Sequence, residues 1–373
     1  MKALIFFLLA TLLSISIFAE LNDVKVNGSV LGGYNAIRQN HANNSNDGFD
    51  YAANIDISFQ LNETWQGVLQ LQSSPGASNF NYPGPDIAIT DLNLTYFCSK
   101  TGASLTLGSF DTPFGRQTGY LSNNADTFAN ATLFNPLLYS AFAGPMGTLN
   151  TIGAMFDISN KKYGGLTVAL SNGTSEESSN SDGSLETVFS YTTEPINQTV
   201  SVGASYMHSN DANSNAGFNA DFDAVMLDLH VFYGKWDMKS YIAQLHYEDQ
   251  NKETNDRVNS MMIENTYRMN NKHFVSLRLD WWLPLDDNGN RAPVRDSEGI
   301  ISGGLPNPGF ASVQGNVDPF VDQSIARQEL GYGYFIDKNI LMKATFFLEN
   351  YAKKTAATST NTNGLLAYLN VRF

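Results

Sequence analysis

Residues 365–373 read LLAYLNVRF and close the chain. Side chains of a β-strand point alternately to its two faces. One face of this segment is therefore apolar and the other is mostly polar: Leu365, Ala367, Leu369, Val371 and Phe373 against Leu366, Tyr368, Asn370 and Arg372. Two structures fit such a strand, a half-buried strand of a water-soluble β-protein and a strand that faces lipid on one side. The rest of the chain distinguishes between them.

The same alternation recurs along the whole chain and predicts an all-β protein of about sixteen strands. Charged residues recur on the polar face of these segments, which must therefore see water. The predicted strands are residues 24–36, 50–61, 65–72, 86–98, 103–110, 148–158, 166–171, 185–192, 199–207, 222–233, 237–247, 258–268, 273–282, 326–336, 340–349 and 364–373.

The amino-terminal segment has the layout of a secretory signal peptide. Lys2 precedes an apolar run over residues 3–13, and a small residue, Ala19, ends the segment. We expect residues 1–19 to be the signal peptide and residues 20–373 to form one barrel domain; an uncleaved membrane anchor is the alternative. Loss of Lys2 leaves 21 basic against 36 acidic residues, a net charge of 21 − 36 = −15. This acidic balance argues against a nucleic-acid partner.

The segments after residue 19 favour a transmembrane barrel. None approaches the roughly 18 apolar residues that a membrane helix needs. A closed β-barrel is the other structure that satisfies all backbone hydrogen bonds within lipid. Predicted connections alternate strictly between short turns and long polar loops, as in antiparallel up-and-down barrels with short periplasmic turns and long external loops. Sixteen strands leave a water-filled lumen.

Together, the terminal Phe373, the signal layout and the loop pattern resemble the porin family of Gram-negative outer membranes. That resemblance implies an integral outer-membrane channel for passive diffusion of small hydrophilic solutes and ions, commonly a homotrimer embedded in outer-membrane lipid. It also implies that the barrel-assembly machinery recognises the terminal strand, with Leu369, Val371 and Phe373 as the signal. No cofactor and no enzymatic activity are expected.

The third external segment, residues 111–147, is expected to fold into the barrel. It begins with a Pro113-Phe114-Gly115 turn that resembles the turn of porin constriction loops, and it carries many large apolar side chains. Its charges would then meet a passing solute: Asp111, Arg116 and Asp126. A loop exposed to solvent is the alternative.

Strand parity predicts a basic wall on the lumen side, made of Lys25, Arg278, Arg327, Lys343 and Arg372. Nearby acids partly offset its charge, and the five bases lie at different depths. Acids on the loop and bases on the wall would set a transverse field across the pore. The alternative is that these charges simply keep the lumen hydrated.

Three further functions remain possible from the sequence. A substrate-specific channel for a sugar or an anion such as phosphate would use lumen aromatics or bases. An outer-membrane enzyme is less favoured, because the five histidines are scattered without metal-ligand spacing and no nucleophile motif accompanies them. An adhesive or structural barrel would show no conductance. No metal site is expected, since Cys98, the sole cysteine, excludes a thiolate cluster and the histidines lack metal-ligand spacing.

Overall fold

The computed structural model describes ten segments of the chain: residues 22–39, 45–73, 87–115, 150–172, 185–195, 199–209, 220–249, 255–285, 323–353 and 360–373. The predicted signal peptide, residues 1–19, lies outside them and stays a prediction. Within these segments, no helix is long and apolar enough to cross a membrane.

All regular elements of the described segments are β-strands. In chain order they are β1 (Asn22–Gln39), β2 (Ser45–Asn62), β3 (Trp65–Ser73), β4 (Ile87–Cys98), β5 (Ala103–Asp111), β6 (Asn150–Asn160), β7 (Gly164–Ser171), β8 (Glu186–Thr192), β9 (Val200–Ser209), β10 (Ala220–Tyr233), β11 (Trp236–Asp249), β12 (Asn255–Arg268), β13 (His273–Leu285), β14 (Gln323–Asp337), β15 (Ile340–Lys353) and β16 (Thr360–Arg372). Each predicted strand is present, with ends shifted by a few residues.

Each strand pairs with its sequence neighbours, and β1 closes the sheet by pairing antiparallel with β16. The fold is therefore the predicted antiparallel up-and-down barrel of sixteen strands. Closure matters because an open apolar edge within lipid would leave backbone donors and acceptors unpaired.

The two faces of the barrel differ as the alternation predicted. Along β16, Leu365 and Leu369 are 48% and 41% exposed on the outside, whereas Leu366 and Tyr368 are 1% and 3% exposed on the inside. In β13 the inward positions include Ser276, with Arg278 beside it on the same face, and both are fully buried. The apolar face thus lies towards lipid and the charged face towards the lumen.

The connections alternate in length as predicted, each external connection being longer than the periplasmic connections beside it, but the external connections are not all long. The connections 40–44 and 250–254, at external ends, are shorter than the periplasmic connection 193–199. The reason is that β1, β2, β11 and β12 run on past the length needed to cross lipid, about ten residues. Residues that the sequence pattern had assigned to loops therefore belong to these strands.

Aromatic rings cover glycines on directly opposed positions of neighbouring strands. Inside the barrel, Tyr368 lies opposite Gly33, and Phe347 lies opposite Gly364. A Cβ on Gly33 would collide with the Tyr368 ring, and one on Gly364 would meet the Phe347 ring at 2.7 Å. Each ring thus occupies the space that a Cβ on the opposed glycine would fill.

Candidate functional site

The chain turns into the lumen directly after β5. Residues 112–115 are all buried, and the side chain of Phe114 is 0% exposed. The Gly115 N–H donates to Ser205 Oγ at 2.9 Å, and Ser205 is on the inward face of β9. Gly115 has φ of 80°, a conformation that favours glycine. The third external segment therefore starts by crossing the lumen from β5 to the inner wall at β9.

This geometry confirms the predicted inward folding for the start of the loop. Pro113, Phe114 and Gly115 form the inward turn, and Asp111 is the last residue of β5. Arg116 and Asp126 lie outside the described residues. The contact of these loop charges with a solute stays a prediction.

Arg278 lies at the centre of an ion-pair network on the opposite wall. Its Nη2 contacts both carboxylate oxygens of Glu329, at 2.8 and 2.7 Å. Its Nη1 is 3.3 Å from Glu264 Oε2. The strand register imposes this arrangement, since Glu264, Arg278 and Glu329 are directly opposed on β12, β13 and β14. A single guanidinium thus joins carboxylates from two neighbouring strands.

Arg327 extends the network to β15. Its Nε donates to Glu349 Oε2 at 2.6 Å, and its Nη1 is 3.5 Å from Glu329 Oε1. At the other end, Lys239 Nζ of β11 is 3.9 Å from Glu264 Oε1. Five consecutive strands therefore contribute to one chain of alternating charges. Arg278 and Arg327, which parity alone placed at different heights, share Glu329.

The other members of the predicted basic wall lie apart from this network. Lys343 is buried on the inward face, opposite Gly333 and Tyr368. Lys25 is exposed near the start of β1. Arg372 lines a polar cavity of about 380 Å³ at the periplasmic end, together with Asn27, Ser29, Asn54, Asp56 and Asn339. The structure thus places the ion-pair network near the middle of the wall and Lys25, Lys343 and Arg372 nearer its periplasmic end.

The wall formed by β2–β8 carries acids without bases. No lysine or arginine occurs in strands β2 to β10. The inward carboxylates there bond to neutral groups: Gln70 Nε2 donates to Asp56 at 2.6 Å, and Thr167 Oγ1 donates to Asp157 at 2.5 Å. Glu186 accepts from Ser171 Oγ at 3.3 Å. Sequence reasoning missed this acidic wall, although the run of nine strands lacking cations could have revealed it.

The terminal Phe373 completes barrel closure. Its N–H donates to the Gly28 carbonyl at 3.0 Å, and its carbonyl accepts from the Gly28 N–H at 3.0 Å. Leu369 and Phe373 are exposed on the lipid side, and Val371 is half-buried. A Cβ on Gly28 would meet the Phe373 ring at 2.5 Å, so this ring lies across the glycine. Recognition of the three residues by the assembly machinery stays a prediction.

A comparison with protein families identifies this chain. Residues 5–292 match the family described as Gram-negative porin. The chain belongs to the Gram-negative porin family. The porin is accordingly a protein of the Gram-negative outer membrane that forms a channel for passive diffusion of small solutes. No curated protein matches it.

Solved structures share the fold at low sequence identity. An anion-selective porin from Comamonas acidovorans matches with a TM-score of 0.62 and 13% identity, covering 94% of this chain and 99% of that one. The outer membrane channel DcaP of Acinetobacter baumannii matches with a TM-score of 0.60 and 12% identity, covering 94% and 97%. OmpT of Vibrio cholerae in its trimer form gives 0.59 and 9%, covering 94% and 99%. At such identities the likeness shows the fold alone.

Proposed function

We propose that the porin is a general diffusion channel whose lumen favours cations over anions. The excess of inward carboxylates carries this proposal. On the described inward positions the carboxylates are Asp56, Asp91, Asp157, Asp228, Asp237, Glu264, Asp280, Glu329 and Glu349. The corresponding cations are fewer: Lys25, Lys239, Arg268, Arg278, Arg327, Lys343 and Arg372. Fixed negative charge in a narrow aqueous path raises the local cation concentration.

The sign of the charge also differs between the two walls. On the β2–β8 side, Asp56 and Asp157 bond to a neutral amide and a neutral hydroxyl, and no lysine or arginine of these strands offsets them. On the β11–β15 side, each arginine of the network contacts a glutamate within 2.7 Å. Such a division supports a transverse field across the lumen, with its negative side on β2–β8. Dipolar solutes would orient in that field as they pass.

A sugar-specific or phosphate-specific channel has less support. The inward aromatics Tyr368 and Phe347 lie over glycines and are 3% and 0% exposed, so they do not present faces to a solute. Arg278 and Arg327 are engaged by glutamates, which leaves little positive potential for phosphate near the middle of the lumen. We further propose that the porin has no enzymatic activity and assembles as a homotrimer, as OmpT of Vibrio cholerae does in its trimer form.

Reversal potentials in asymmetric KCl across planar bilayers test the cation preference. The wild type is expected to be cation-selective, and Asp56→Asn/Asp157→Asn is expected to lose part of that selectivity. Asp23→Asn is the matched control, because Asp23 is an exposed carboxylate at the periplasmic start of β1. An anion-selective wild type, or equal shifts in the test and control variants, would contradict the proposal.

A further inference from the structure

The inner wall of the barrel has a covered face and an open face. The inward residues of β12–β16 are buried throughout five stretches: 258–266, 274–282, 325–333, 341–349 and 364–370. The inward residues of β2–β4 are instead half-buried along most of the described wall: Asp56, Ser58, Gln60, Gln66, Val68, Gln70, Asp91, Asn93 and Thr95. A bare wall around an aqueous lumen would be wetted alike on all sides. Water therefore reaches the β2–β4 face and is largely excluded from the β12–β16 face.

The ion-pair network belongs to the covered face. Arg278 and Asp280 are 0% exposed, and Arg327 and Glu329 are 1% exposed. A solute is larger than a water molecule, so it cannot touch a side chain that water does not reach. The two arginines of the network therefore do not line the path of a solute, although their strands form part of the lumen wall.

The inward turn of the third external segment limits the open face on its other side. This turn leaves β5, and its Gly115 N–H reaches Ser205 Oγ on β9 at 2.9 Å, so it passes the external halves of β6–β8. Inward residues of those halves are buried: Thr151, Ser171 and Glu186. Nearer the periplasm, inward residues of β6 and β7 are half-buried: Asp157 and Thr167. The open face thus follows β2–β4 and widens towards β6 and β7 on the periplasmic side.

A row of oxygen-bearing side chains crosses the open face. Gln70 of β3 is directly opposite both Asp56 of β2 and Asp91 of β4. Its Nε2 donates to Asp56 Oδ1 at 2.6 Å, which holds this carboxylate on the wall. No lysine or arginine occurs in β2–β10, so no cation of these strands offsets the row. Two carboxylates, separated by one strand, thus lie on the side of the lumen that water reaches, and such an arrangement attracts cations.

We propose that solutes cross the barrel along the β2–β4 face and not along the β12–β16 face, and that metal cations and ammonium-bearing solutes are favoured there by contact with Asp56, Gln70 and Asp91. The inference rests on the proposed diffusion function and adds to it the location of the path. It differs from the expectation that a passing solute meets a basic wall. Three bases of that wall are covered, whereas the carboxylates of the row stay in contact with water: Arg278, Arg327 and Lys343.

Thiol-reactive reagents test the location of the path. In a Cys98→Ser background, Ser58→Cys puts a thiol on the open face and Ser276→Cys puts one on the covered face, where Ser276 is 0% exposed. Both replacements exchange only an oxygen for a sulfur, and both positions lie within a few residues of a periplasmic turn. Cationic and anionic alkyl methanethiosulfonates are added in turn to single channels in planar bilayers. We expect a stepwise loss of conductance in Ser58→Cys and unchanged conductance in Ser276→Cys.

A second pair of variants and a selectivity measurement complete the test. Thr95→Cys on β4 and Thr345→Cys on β15 repeat the comparison if a serine variant folds poorly, since Thr95 is half-buried and Thr345 is 0% exposed. Asp91→Asn should lower the cation preference more than Asp280→Asn, the matched change on the covered face.

Three results overturn the proposed location. They are a conductance loss in a covered-face thiol variant equal to that in its open-face partner, no loss in either open-face variant, and equal effects of the two aspartate variants on the reversal potential. An anion-selective wild type instead contradicts the proposed function. The thiol comparison, made with reagents of both signs, decides the location independently of that result.

Discussion

Replacing Arg278 with glutamine should destabilise the barrel more than other single changes in the lumen wall. The side chains of Arg278 and Glu329 are 0% exposed and that of Glu264 is 1% exposed, so both carboxylates would lose a shared cation without gaining bulk water. Breaking a buried ion pair from one side costs about 3–5 kcal/mol. The lower end is expected, because Glu329 keeps Arg327 at 3.5 Å and Glu264 keeps Lys239 at 3.9 Å.

Urea unfolding in lipid vesicles, followed by tryptophan fluorescence, measures this cost. The double variant Arg278→Gln/Glu329→Gln removes the cation together with one of its carboxylates, and it should recover part of the lost stability because fewer charges remain buried and mismatched. Lys239→Gln is the comparison at the exposed end of the network. Lys239 is 23% exposed and 3.9 Å from its partner, so its loss should cost about 1 kcal/mol or less.

Two results would refute the reasoning behind this prediction. The first is an Arg278→Gln variant that loses no more than the Lys239→Gln variant, because water in the lumen would then screen the pair as it screens surface pairs. The second is a double variant less stable than either single variant, which would show that each side chain contributes independently. Unfolding slopes must match the wild type for the comparison to hold.

Two further predictions concern the loop turn and the covered glycines. Ser205→Ala should leave the Gly115 N–H without its lumen-side acceptor and weaken the anchor of the inward loop by about 1 kcal/mol, which single-channel recordings would register as added current noise. Unchanged noise would show that the anchor is dispensable. Gly33→Ala should lower the yield of folded barrel on heat-modifiability gels, because its Cβ collides with the Tyr368 ring, whereas Gly165→Ala, whose nearest contact is at 3.9 Å, should fold normally. Equal yields would contradict the packing argument.

The strands could be predicted because their environment imposes a simple pattern. A strand with lipid on one side and water on the other must alternate apolar and polar side chains, and even a strand as short as β8 shows this alternation. Strand ends were less predictable, since nothing in the pattern of β1 or β2 marks where the membrane stops. The five-residue connection 40–44 is the result: both strands continue as a hairpin beyond the apolar band.

The charge network shows what parity alone leaves undetermined. Sequence parity placed Arg278 and Glu329 on the lumen side, but direct opposition depends on the register between β13 and β14. That register is set by turn geometry and by packing summed over the whole strand pair. Arg278 and Arg327 are buried on the inner face, and their pairing with glutamates could be read only from the structure.

The register also determines which wall should govern which property of the channel. In the β11–β15 network each positive charge lies within hydrogen-bonding distance of a negative one, so its field falls off within a few ångströms and its main effect is on stability. Asp56 and Asp157 hydrogen-bond to neutral groups rather than to cations, so their field reaches further into the lumen, limited by a screening length of about 8 Å at physiological salt. Variants of the first set should accordingly alter unfolding much more than reversal potential, and variants of the second set should do the opposite. If variants of either set changed unfolding stability and reversal potential to the same extent, the two walls would not have separate roles.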